Sequence, residues 1–103
     1  MIHDLCVIEE PITLAALGLV PEREVAEMAL AGELAVGGSM PTNTDGGCLG
    51  RGHPPPATGV AQTVEAVRQL NGAADARQVA GAEAALVHAA GGGGSCAVAL
   101  LTK

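Results

Sequence analysis

No Phe, Tyr or Trp occurs among the 103 residues of this sequence. Without an aromatic ring there is no platform for stacking unpaired bases, which removes one mode of single-stranded nucleic-acid binding. Positive charge is also scarce. Five Lys and Arg stand against eleven Asp and Glu, for a net charge of −6 and a pI near 4.8. No basic patch is left to release counterions from a phosphate backbone, so no nucleic-acid partner is expected. No apolar run approaches the ~20 residues that span a bilayer, so no membrane partner is expected either. The start, MIHDLCVIEE, carries acids where a secretory leader carries Lys or Arg. Three cysteines cannot all pair within one chain, and none lies in C-x-x-C spacing. The expected compartment is therefore reducing and cytoplasmic.

What is present is small and apolar. Twenty Ala and fifteen Gly make up about a third of the chain. Hydrophobic residues reach 49% and charged residues only 16%, a balance too apolar for a disordered chain. The length allows one domain or part of one. Apolar volume must come from eleven Leu and ten Val, with three Ile and three Met. A core of this size usually draws on aromatic area. The expectation is that small residues let backbones approach closely and that a second domain completes the packing.

Glycine and proline cut the chain into short blocks. Residues 9–17 read as a helix with Pro11 in its first turn and Gly18 as its stop. A second helix is expected over 21–31, opened by Pro21, with Val25, Met28 and Ala29 on one face and Gly32 at its end. Its acids Glu22, Glu24 and Glu27 read as a solvated face. Residues 37–56 form a long irregular connection, the kind that is either functional or disordered. The strongest helix lies at 57–71, where Val60, Val64, Val67 and Asn71 keep helical spacing beside Ala61. The runs 83–89 and 96–101, split by Gly91 to Gly94, predict an antiparallel strand pair. Their two-sided apolar content predicts a sheet covered on both faces. The fold class expected is α/β, with layered helices on a mixed sheet that ends in this strand pair.

Three histidines and three cysteines make up the reactive inventory. His53, in GRGHPPPATG between a glycine-rich loop and a helix, reads either as a functional imidazole or as a loop histidine bonded to backbone. His3 beside Asp4 is either a site pair or a half-exposed neighbour pair. His88, inside a strand, reads by default as a buried and satisfied histidine. Cys6, Cys48 and Cys96 read as small core residues. A zinc set of Cys6, Cys48, His53 and His88 shows no structural-zinc spacing, so no metal is expected. Gly91 to Gly94 reads as a turn, or as a source of N–H groups for an oxyanion. It is no phosphate loop, because no Lys-Ser/Thr pair follows it.

Taken in order, HD at 3–4, ALGL at 16–19, NTDGGCLGRGHPPPATGVAQ at 43–62, VRQLNGAADARQVAGAEAAL at 67–86 and ALVHAAGGGG at 85–94 resemble the C-terminal part of the thiolase superfamily. The resemblance covers nearly the whole chain, and its most specific element is the GG-to-GHP block. It is nearest to the sterol-carrier-type thiolases and the thiolase-like acetyl-CoA acetyltransferases of bacteria and archaea. Those carry HD in place of Asn-Glu-Ala-Phe, then N-x-x-GG-x-x-x-x-GHP-x-GATG, and a terminal strand with HN-x-G-x-G. The resemblance implies acyl transfer on coenzyme A thioesters, with the thioester as substrate and no tightly bound cofactor. His53 would take the proton of a nucleophilic thiol and donate toward the thioester oxygen. His3 would help hold a donor at that oxygen, and Gly91 would contribute its N–H to a second oxyanion hole. Asn43, Gly46, Gly47 and Gly52 would bring His53 into place, with His88 in the terminal strand.

Several positions depart from the family pattern. The nucleophilic cysteine belongs to an N-terminal half not represented in these 103 residues, so the domain is expected to be incomplete at that end. The acid/base cysteine positions are Leu5 and Ala89 here, and Cys6 is one place off, pointing the other way on an extended segment. Pro56 replaces a glycine after GHP and has no N–H to offer. The expected role is an acyltransferase domain inactive without the nucleophile half, which would be its partner, as would further copies in an oligomer. The alternatives are a non-catalytic partner subunit of a thiolase-like complex and a degenerate fragment.

Overall fold

A computed structural model describes residues 1–103. Helix α1 (Glu9–Ala16) opens on two acids and Pro11, where negative charge meets the positive helix end and a missing N–H costs no bond. Gly18, at φ 69°, makes the left-handed turn that ends it. Helix α2 (Glu22–Leu30) follows Pro21 and stops before Gly32. Its acids lie on the solvated side as expected. Val25 and Met28 turn inward, whereas Ala29, expected beside them, is exposed. The two helices pack on each other around Ile2, and Leu14, Val20, Val25 and Leu34 complete this small core.

The long connection is less irregular than its composition suggests. A five-residue helix, α3 (Gly47–Arg51), sits inside it. Asp45 braces that turn from both ends: its Oδ1 accepts the Gly47 N–H at 2.9 Å and its Oδ2 accepts Arg51 Nε at 2.7 Å. Such local bonds, one to backbone and one to a side chain, leave no periodic signal.

Helix α4 (Thr58–Leu70) falls inside the expected boundaries. Its valine stripe faces outward, with Val60 67% exposed and Val64 and Val67 also in the open. The inward face is mostly polar: Thr58, Gln62, Glu65 and Gln69, with Ala66 and Leu70. That face is held by hydrogen bonds. Glu65 accepts from Thr44 Oγ1 at 2.9 Å, Gln69 Nε2 at 3.1 Å and Arg77 Nη2 at 3.1 Å. Arg77 lies in a single 3-10 turn, Asp75–Arg77.

Strands β1 (Ala84–Gly91) and β2 (Ser95–Thr102) form the expected antiparallel pair, in register from Ala84↔Thr102 to Gly91↔Ser95. Each runs slightly longer than its apolar core implied. On the other side of β1, the Met1 amine donates to the Leu86 carbonyl at 2.7 Å and the His88 N–H donates to the Met1 carbonyl at 2.8 Å. That alternation is the parallel pattern. The fold is thus α/β, with helices packed around a small antiparallel pair. The expectation of a sheet covered on both faces is corrected. α4 packs on β1, but β2 is exposed along almost its whole length, with Val98 52% and Leu100 69% exposed. The reason is that α1 and α2 gather around Ile2 and leave one helix for the strands. No helix is long and apolar enough to cross a membrane.

Candidate functional site

The site begins with two segments far apart in sequence. Residues 1–3 run alongside β1, and the loop at 43–52 bonds to Ile2 and Asp4 from the other side. Asn43, at φ 47°, turns its side chain so that Oδ1 accepts the Ile2 N–H at 2.7 Å. Asp4 accepts the Cys48 N–H at 2.7 Å. Gly47, at φ 61°, lies so close that a Cβ there would fall onto the Asp4 carboxylate and 2.7 Å from Asn43 Nδ2. Gly46 and Gly52, at φ 96° and 94°, flank α3 and let the chain enter and leave it. Glu9 fixes the far end of the first segment by accepting the N–H groups of Leu5 and Cys6.

This closure brings His3 and His53 together, their rings edge-to-face at 82° with centroids 4.9 Å apart. His53 Nδ1 shares a 2.8 Å hydrogen bond with Thr58 Oγ1, which leaves Nε2 free to act. The proline run at 54–56, with Pro56 in the family's glycine position, leads directly into α4, which carries Thr58. His88 supports from the strand: its Nδ1 accepts the His3 backbone N–H at 3.4 Å. Burial, then the neighbouring His3 and the N-terminal amine, lower the His88 pKa and favour the neutral form that can accept. His88 is half-buried and bonded, close to its default reading.

Both imidazoles line one cleft of about 650 Å³, which also takes in Gly91, Gly92 and Ser95 from the hairpin. Leu5 and Ala89, the two positions where the family pattern carries an acid/base cysteine, line it as well, without a thiol. Cys6 is exposed and lines no wall of this cleft; Cys96 is exposed and does. Cys48 is buried next to the histidine pair, as expected of a small core residue, whereas Cys6 and Cys96, read the same way, are exposed because they lie in the open first segment and on the uncovered strand β2. Burial leads the causes that push its thiol pKa up. Sequence reasoning missed the roles of Asp4 and Asp45. Asp45 had a local signal, since Asp before Gly-Gly is turn chemistry. Asp4 had none, because its partner lies on a distant loop.

The chain can now be compared with known proteins. It matches the thiolase C-terminal domain-like family model over residues 1–103. It is 42% identical over 99 residues to sterol carrier protein 2 of Gallus gallus, covering 96% of this chain and 18% of that protein. It is 40% identical over 103 residues to an acetyl-CoA acetyltransferase of Methanothermobacter thermautotrophicus, covering 99% and 27%. With a benzoylsuccinyl-CoA thiolase subunit of Thauera aromatica it shares 33% over 93 residues, covering 89% and 24%. The chain thus spans roughly a fifth to a quarter of the length of these relatives. With the HD segment, the GG loop and the GHP histidine folded into one cleft, the chain belongs to the thiolase superfamily as a C-terminal domain-like member.

Proposed function

We propose that this chain is non-catalytic by itself and serves as the partner half of a thiolase-like assembly. The observation that carries this reading is the uncovered surface: the outer length of β2, with Val98 and Leu100, and the Val60–Val64–Val67 stripe of α4. These are two separate exposed apolar surfaces, one on β2 and one on the outer side of α4, and each marks a candidate protein contact. The cleft supports the same reading, since Leu5 and Ala89 leave it without the family's acid/base thiol.

A second reading concerns the assembled state and is favoured by the His3–His53 pair facing Gly91 across one cleft. There the chain would lend its groups to acyl transfer on a coenzyme A thioester. His53 Nε2 would accept the proton of a nucleophilic cysteine from the partner half as sulfur attacks the thioester carbon. His3 would help position a donor toward the oxygen, where negative charge gathers. The Gly91 N–H would serve a second oxyanion.

The test is to mix the chain with a separately expressed N-terminal thiolase half that carries the nucleophilic cysteine. Sedimentation should show assembly, and Val64→Asp should abolish it while leaving the circular dichroism of the chain unchanged. The chain alone should not cleave acetoacetyl-CoA. Cleavage by the purified chain, lost on His53→Ala, would overturn the first reading. A chain that neither assembles nor supports turnover would be the degenerate copy instead.

A further inference from the structure

Beneath the cleft, His3, Cys48 and His53 each present one donor atom, and the three lie within 4.8 Å of one another. We propose that these residues form a binding site for a divalent transition metal, with zinc the best-matched ion. The inference does not rest on the acyl-transfer reading.

Several observations point the same way. His3 is only 6% exposed, and its Nδ1 is buried with no hydrogen-bond partner. A buried nitrogen without a partner is costly, and a metal bound through it would supply one. Two imidazoles and a thiol are a borderline-soft donor set, which suits zinc and excludes magnesium and calcium. Zinc bonds of about 2.0–2.3 Å would draw such donors to roughly 3.3–3.7 Å from each other, a closure of about 1 Å. Side-chain rotation at His53, which is half-buried, can supply it.

The surroundings suit a metal. Thr58 already orients His53 through Nδ1, leaving Nε2 as the ligand atom. Asp4, buried and bonded to the Cys48 N–H, places a carboxylate beside the site. His3 and His53 also line the cleft, so three protein ligands would leave a fourth position for water or an exogenous thiol. Binding exchanges one proton. The Cys48 S–H bond breaks, Sγ binds the metal, and the proton passes to solvent. A loaded site ties up the imidazole nitrogens, so the metal-bound form would not perform proton transfer at His53. The spacing rules missed this set because its members come from the N-terminal segment and a distant loop.

The test uses the full chain carrying Cys6→Ser and Cys96→Ser, which removes the two exposed thiols outside the cluster. Cobalt(II) chloride is titrated into the metal-free protein, and zinc chloride then competes. One equivalent of cobalt should give a thiolate-to-metal charge-transfer band and tetrahedral d–d absorption, both removed by zinc. Cys48→Ser should abolish the charge-transfer band, and His53→Gln should weaken binding about 10- to 100-fold. Far-UV circular dichroism checks that each variant is folded, and His53→Gln carries the test if Cys48→Ser is not. Absence of the charge-transfer band in the folded parent, or its survival in folded Cys48→Ser, would overturn the assignment. So would unchanged cobalt affinity in folded His53→Gln.

Discussion

Asp4 accepts the backbone N–H of Cys48 at 2.7 Å, and both residues are buried. This one bond ties the His3 segment to the loop that carries His53. It explains why the two histidines meet although they lie fifty positions apart. Removing the carboxylate should loosen the loop first. Asp4→Ala is expected to cost about 1.5–3 kcal/mol, as for a buried hydrogen bond to a charged group. Urea unfolding measures the loss, and faster proteolysis within residues 43–52 locates it.

Gly47 tests the same contact from the other side. A methyl group there meets the Asp4 carboxylate and requires a left-handed backbone at φ 61°. Gly47→Ala should destabilise by about 2–4 kcal/mol. Gly50, three residues on in α3, has nothing near its missing Cβ. Gly50→Ala should change stability by less than about 1 kcal/mol, with the sign favouring the variant. Equal effects at both sites by denaturant titration would contradict the packing described.

The Glu65 cluster predicts a pH dependence. Burial alone would raise the Glu65 pKa. Hydrogen bonds from Arg77, Gln69 and Thr44, with the Arg77 charge, outweigh burial and hold it below the ordinary 4.5. A lowered folded pKa contributes stability that is fully present above 4.5 and lost as pH falls through the folded value. The chain should therefore lose stability below that point. Glu65→Gln should be about 1–3 kcal/mol less stable at neutral pH. The gap between the two proteins should shrink in acid, as read by melting temperature from pH 7 down to acid.

The three cysteines should separate by reactivity. Cys6 and Cys96 are exposed, whereas Cys48 is 7% exposed and its thiol pKa is pushed up. The thiolate is the reactive form, so Cys48 is protected twice. Native alkylation followed by intact-mass measurement should show two rapid adducts, with the third appearing only on unfolding. Rapid loss of all three thiols would mean that the loop does not close over the first segment.

Much of the fold was legible because local chemistry wrote it. Prolines and glycines set the ends of α1 and α2, and the apolar runs around four glycines set the hairpin. Ordered motifs identified the family and singled out His3, His53 and Gly91; only the folded chain put the three on one cleft. Other features were invisible for physical reasons. Helix α3 is held by Asp45 bonding to its own neighbours, which has no period. Helix α4 shows its spacing through valines that face outward, because its inward side is a hydrogen-bonded polar face rather than an apolar one.

The sequence by itself determined the element order, the thiolase family and the identity of the two imidazoles. Those depend on local backbone preferences and on motifs contained within short stretches. Only the tertiary structure decided that strand β2 stays uncovered, that Asp4 clamps the loop, and that Cys48 joins the histidines. The last two rest on contacts between residues more than forty positions apart. Pairing at that distance is settled by how the chain packs, with Gly47 small enough to let the two segments touch.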